Sequence, residues 1–191
     1  MKQDRRRKKF EIIKNTVRLD PTSPSGLVWN ATTDWHKEGE PAGTISGSYW
    51  QVSGVRAHRL VYELTTGATL NANQVIDHID RNGLNNDPAN LRPATTAQNC
   101  SNKFGQVSDW FPKGVSLGAH GKIVSSVSAG GRRTFVGEIR SHRDHSSEKL
   151  NALVAKALKT TLELHGEFAC VDSFYCQLPI EAVLGPLEGF P

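Results

Sequence analysis

With 191 residues, 37% hydrophobic content and a mean hydropathy of −0.44, the chain can build one domain with appendages or two small ones, but not one large core. It carries 23 Lys and Arg against 19 Asp and Glu. Nothing in it approaches the roughly 18 apolar residues that span a bilayer, the basic N-terminus lacks the apolar stretch of a secretion signal, and Cys100, Cys170 and Cys176 form no CxxC pair; a reduced cytoplasmic chain with no membrane partner is the expectation.

Residues 1–20 read as a basic arm, with seven Lys and Arg against two acids in the first fourteen positions; the plainer reading is a solvated tail. Such an arm suits a polyanion. The next region, 21–105, opens on turn chemistry in Asp20-Pro21 and Ser23-Pro24-Ser25-Gly26 before a short apolar run. Ile45, Tyr49, Gln51 and Val55 then sit among Gly and Ser, which predicts one or two short strands. Leu60, Val61 and Leu64 at helical spacing, stopped by Gly67, predict an amphipathic helix.

The stretch VIDHIDRNGLNNDPANLRPATTAQN, residues 75–99, follows. Val75-Ile76 ends a strand, so Asp77 and His78 point to opposite sides of its tip. A turn-rich loop leads to a return strand at Asn90-Leu91-Arg92, and Thr95 or Thr96 caps a helix that holds Asn99 in its first turn. A hairpin packed on that helix can bring Asp77 and Asn99 together across 22 residues. A carboxylate and an amide oxygen are hard ligands that suit Mg²⁺, which keeps several waters. His78 can take a proton from water near neutrality. The plainer reading is an Asn/Asp loop that only turns the chain; it accounts for Asn82-Gly83 and Asn85-Asn86 but not for the other residues at their spacing.

After a linker at 106–112, Lys122–Ser128 and Arg132–Ile139 predict two strands joined through Ala129-Gly130-Gly131. Leu150, Leu153, Val154, Ala157, Leu158 and Leu162 form one stripe of a helix capped by Ser146 or Ser147 and ended by Gly166. A tail at 173–191 is acidic. A zinc site from His142, His145, Cys170 and Cys176 is drawn only with loose spacing. His36 and His120 sit in polar loops with no evident partner, and His165 reads as a helix-end residue.

The Asp77-His78, Asn90-Leu91-Arg92 and Asn99 set, with His78 to Asn90 at +12 and Asn90 to Asn99 at +9, resembles the HNH endonucleases with the ββα-metal fold, in the branch of phage and homing nucleases. Ala57-His58-Arg59-Leu60 resembles the helix that precedes the motif there. The resemblance implies an α+β fold, with His78 as general base, Asp77 and Asn99 on one divalent metal, Asn90 bridging the loop to hold His78, and Arg59 among the DNA contacts. It implies cleavage of double-stranded DNA to 5′-phosphate and 3′-hydroxyl ends. Asn99 in place of a final His points to Mg²⁺, or Mn²⁺, as cofactor. Lys113–Asp172 resembles the ethylene-response-factor (Apetala-type) DNA-binding domain, a three-stranded sheet packed on one helix. Its middle strand departs from that pattern, with Lys122, Val124, Ser126 and Ser128 outward and Ile123 where a Trp is common. Lys122, Arg132, Arg133 and Arg140 would then contact phosphates or bases, with backbone positioning ahead of sequence readout. The implied function is a phage-type, metal-dependent DNA endonuclease, with a monomer the simpler expectation. The alternatives are a catalytically inactive DNA-binding protein that retains the HNH fold, and a nuclease directed at RNA.

Overall fold

The computed structural model describes residues 2–103, 113–140 and 146–171. The fold is mixed helix and antiparallel sheet, α+β as expected, in two units: residues 1–99 and residues 100–191. The linker at 106–112, His142, His145, Cys176 and the tail at 173–191 lie outside the described residues.

In the first unit, α1 (Lys2–Lys14) leads into a two-stranded hairpin, β1 (Val17–Leu19) and β2 (Leu27–Trp29). The segment read as a basic arm is therefore a helix and a strand. Phe10, 7% exposed, packs α1 into a core with Val17, Leu27, Val52, Leu60 and Val61. A second antiparallel sheet holds β3 (Thr44–Ser46), β4 (Tyr49–Val52) and β5 (Val55–Arg56). The amphipathic helix α2 (Ala57–Thr66) follows at once and ends on Gly67. It buries Leu60 and Val61 as the sequence pattern requires, but also His58 and Glu63.

The third sheet is the hairpin β6 (Gln74–His78) and β7 (Leu91–Thr95), with Asp77 opposite Arg92 and His78 opposite Leu91. Ile76 and Leu91 face the core. The helix α3 (Thr96–Ser101) starts on the next residue. Thr95 is its cap: its Oγ1 accepts from the Gln98 N–H at 3.2 Å, and Gln98 Oε1 accepts from the Thr95 N–H at 2.8 Å. Thr-x-x-Gln here is a reciprocal capping box that satisfies two N–H groups otherwise without partners. It fixes the direction in which Asn99 leaves the hairpin.

The second unit has strands β8 (Val115–Leu117), β9 (Ile123–Ala129) and β10 (Arg132–Ile139) in the antiparallel order β10-β9-β8. The helix α4 (Ser147–His165) lies on them. Ser146 caps it, its Oγ accepting from the Lys149 N–H at 3.2 Å. Val115, Ile123, Val127, Val136, Leu153, Val154 and Leu158 fill this core, each such side chain contributing roughly 1.5–3 kcal/mol on burial. A bulge between Phe135 and Gly137 lets Leu153 approach; a Cβ on Gly137 would stand 3.0 Å from its Cδ1. Val124, Ser126 and Ser128 face away from the core as expected. Among the described residues, no helix is long and apolar enough to cross a membrane, and Cys100 and Cys170 are free thiols.

Candidate active site

Asp77 and His78 end β6 and are both buried, at 2% and 5% exposure. The Asp77 carboxylate is met across the hairpin by Arg92, whose Nε donates to Oδ2 at 2.9 Å. That bond occupies one lone pair of the carboxylate, on Oδ2. Asn99 is the fourth residue of α3 and half-buried. Among the described residues no three His, Cys, Asp or Glu side chains are arranged to hold an ion. A cation here would rest on one carboxylate, an amide and water. That donor set fits Mg²⁺ or Mn²⁺ and not a soft metal.

His78 is held by groups far away in sequence. Its Nε2 lies 3.3 Å from Asn86 Oδ1, and Asn86 Nδ2 donates to the Ser25 carbonyl at 2.9 Å. With the amide nitrogen committed to Ser25, the amide oxygen faces the ring and is placed to accept from an Nε2–H. Burial pushes the His78 imidazole below its ordinary value, against the Asn86 hydrogen bond and the Asp80 and Asp77 charges, which favour the cation. It is neutral at pH 7.

Two further rings enclose it. His58 stands edge-on to His78 at 5.0 Å between centroids, and Tyr49 lies 5.4 Å from His58 and 5.9 Å from His78. The Arg56 guanidinium sits 4.7 Å above the Tyr49 ring, an attractive cation–π geometry. His58 is 8% exposed, and its Nδ1 is buried without a hydrogen-bond partner. Burial lowers it to about 3, reinforced by repulsion from His78 once that ring is protonated and from Arg59 and Arg56. Tyr49 and Asn86 carried no signal in the sequence, because each contact crosses between separate elements. His58 had only its place in the Ala-His-Arg-Leu run.

The loop from Ile79 to Asn90 has an ordered cause. Asp80, Asn82, Asn85 and Asp87 each accept, through Oδ1, the N–H two residues on, at 2.8–3.2 Å. These are Asx turns, the local chemistry that makes such residues turn-formers. Asn90 closes the loop. Its Nδ2 donates to Asp80 Oδ1 and to the Asn85 carbonyl, both at 2.9 Å, and its Oδ1 accepts from the Asp80 N–H at 3.0 Å. The amide thus bridges the loop, two residues from His78. Gly83 serves by close approach rather than by turn conformation: a Cβ there would lie 2.3 Å from the Ser48 carbonyl and 2.7 Å from the Tyr49 ring.

Arg59, half-buried on α2, makes no ion pair among the described residues. In the second unit Lys122 and Arg140 both approach Glu138, Lys122 at 4.0 Å. Arg133 Nε donates to Ser126 Oγ at 2.7 Å on the outward face of β9, and Arg132 is exposed at the start of β10. His36, which had no evident partner in sequence, stacks on Trp29 at 3.8 Å with planes 5° apart.

Residues 55–100 match the family described as HNH endonuclease. Among curated proteins, the chain is similar to one from Acanthamoeba polyphaga mimivirus named uncharacterized HNH endonuclease L560. Identity is 30% over 120 residues, covering 63% of this chain and 58% of that protein. It is also similar to protein 3.8 of Escherichia phage T7, at 34% identity over 114 residues, covering 60% of this chain and 88% of that protein. No solved structure matches the chain.

Proposed function

From the premise that the chain belongs to the HNH endonuclease family through residues 55–100, we propose that it is a metal-dependent DNA endonuclease of phage homing type. His78 is its general base and Asp77 and Asn99 hold one divalent ion. The observation that carries this reading is the restraint of His78: buried, and held at Nε2 by Asn86, which the Ser25 carbonyl fixes in turn. A water at Nδ1 loses its proton to the ring and its oxygen attacks phosphorus. The bond to the 3′ oxygen breaks, and that oxygen takes a proton from solvent. Such general-base help is worth about 10²–10⁴-fold. The ion, when bound, supplies charge stabilisation at the phosphate and the leaving oxygen. Asn90 positions the loop, while Asn86, His58 and Tyr49 fix the imidazole ring. Mg²⁺ is the proposed physiological ion, with Mn²⁺ a substitute, double-stranded DNA the substrate, the cytoplasm the compartment, and a monomer the working state.

The second unit is proposed as an ethylene-response-factor-type module that positions the enzyme on DNA. Arg132 and Arg133 are its phosphate contacts, and Lys122 and Arg140 are partly neutralised by Glu138. The proposed organisation is a nuclease region at 21–105 and this module at 113–172.

One observation favours a second reading, a DNA-binding protein without cleavage: Arg92 already supplies a cation to Asp77. Plasmid nicking in Mg²⁺, with an EDTA control, separates the two. The expected result is EDTA-sensitive nicking that falls about 10²–10⁴-fold in His78→Ala while duplex affinity is kept. Nicking by that variant at the wild-type rate removes His78 from the mechanism, and binding without cleavage in any divalent ion selects the second reading.

A further inference from the structure

Four of the α1 cations, Arg6, Arg7, Lys9 and Lys14, differ in what they meet. Arg7 and Lys14 turn toward α2 and meet the buried Glu63 carboxylate. Arg7 donates to both oxygens at 2.8 and 3.1 Å, Lys14 stands at 3.5 Å, and the Leu70 N–H adds a further bond at 3.3 Å. Together with Phe10, this contact docks the helix. Arg6 and Lys9, next to Arg7 and Phe10, line a groove of about 530 Å³ bounded by α1, the Gly54-Val55 turn, Arg59 of α2 and the segment at Leu70–Ala72. No carboxylate lines it. Arg6, Lys9 and Arg59 make no ion pair or hydrogen bond among the described residues. The Lys9 ammonium lies 3.2 Å from where a Cβ on Gly54 would be, so this glycine leaves room for it.

We propose that the groove seats a DNA backbone phosphate other than the one cleaved. Three cations without compensating acids would repel one another and scatter into solvent if nothing were to neutralise them. Here they are set on two helices locked together through Glu63, so an incoming anion finds them already convergent. Arg59 adjoins His58, whose ring packs on His78, so the groove opens one residue along the same helix from the candidate active site. A duplex crossing that site offers phosphates on either side of the scissile one. The inference rests on the reading that the protein acts on DNA.

The experiment measures binding of a short labelled duplex to the full chain by fluorescence anisotropy, in EDTA so that no cleavage intervenes, over a salt series. In Arg6→Ala/Lys9→Ala the slope of log K against log salt should fall by about one, with affinity about tenfold lower at roughly 0.1 M salt. Lys9→Arg, which keeps the charge, should retain the wild-type slope. Lys8→Ala, removing an exposed cation paired with Asp4 on another side of α1, should also retain it. Circular dichroism should give all three variants the helix content of the wild type, because these side chains are exposed. An unchanged slope in the double variant, an equal loss in Lys8→Ala, or no duplex binding by the wild type overturns the proposal. Absence of nicking would instead count against the nuclease reading and leave the slope comparison intact.

Discussion

The two units are built to different rules. The second has a short strand, two of 7 and 8 residues and a 19-residue helix, and among its described residues the buried polar ones are Asn102, Ser125 and Thr161. Of its buried polar residues, Thr161 hides its hydroxyl on the Ala157 carbonyl within α4. The first unit divides its strands, none longer than 5 residues, among three small sheets. It buries His58, Glu63, Asp77, His78 and Asn86. Each of those groups costs free energy to desolvate unless partnered, and an apolar replacement would pack as well. The contrast teaches where chemistry resides: departures from apolar burial concentrate where the fold must aim a titratable group.

Three perturbations sharpen this contrast, with hydrogen exchange resolved by peptide reporting on each unit separately. The largest is Leu158→Ala on α4. Its side chain is 3% exposed, and its loss should cost the second unit about 2–5 kcal/mol while protection in the first is unchanged; equal loss in both would mean they unfold as one. Next is Arg7→Ala. It leaves the buried Glu63 carboxylate only Lys14 and the Leu70 N–H, and should destabilise the first unit by about 2–4 kcal/mol. A cost under 0.5 kcal/mol, the range of ordinary surface changes, would show that Phe10 alone docks α1.

The third is read against pH, and is the smallest per unit step. His58 is lowered to about 3 from 6.5, so between these values the unfolded chain binds the proton and the folded chain does not. Stability of the first unit should therefore fall by about 1.4 kcal/mol per pH unit as pH drops below 6.5. His58→Phe should flatten that slope. Burial pulls Glu63 upward, but the Arg7 hydrogen bonds, the Leu70 N–H and the charges of Arg7 and Lys14 bring it below its ordinary 4.5. Its contribution is complete above that value and lost as pH falls beneath it. The second unit has His165, lowered by burial and by Lys113 but half-exposed, so its acid slope should be shallower. A steeper slope there would reverse the contrast.

What the sequence disclosed follows the range of the interactions. The β6–β7 hairpin, the cap at Thr95 and the apolar stripe of α4 are local patterns, and were legible. The α1 helix was not. Its composition is that of a solvated arm, and it is held by Phe10 and by a carboxylate 56 residues away. Asn82-Gly83 was read as a turn on sound chemistry, yet the reason for Gly83 is the approach of Ser48 and Tyr49, which only the folded chain reveals. For the same reason Asn86 looks in sequence like one more turn residue, although it is the group that meets His78 Nε2.

The successive Asx turns between Asp80 and Ala89 make that loop portable. Each Asx hydrogen bond reaches only two residues along the chain, so that local shape should survive transplantation onto another hairpin, provided the Asn90 clasp and the Asn85–Asp80 bond travel with it. What would not travel is the grip of Asn86 on the Ser25 carbonyl. A graft without an equivalent carbonyl would inherit the contour of the loop but not its hold on the histidine.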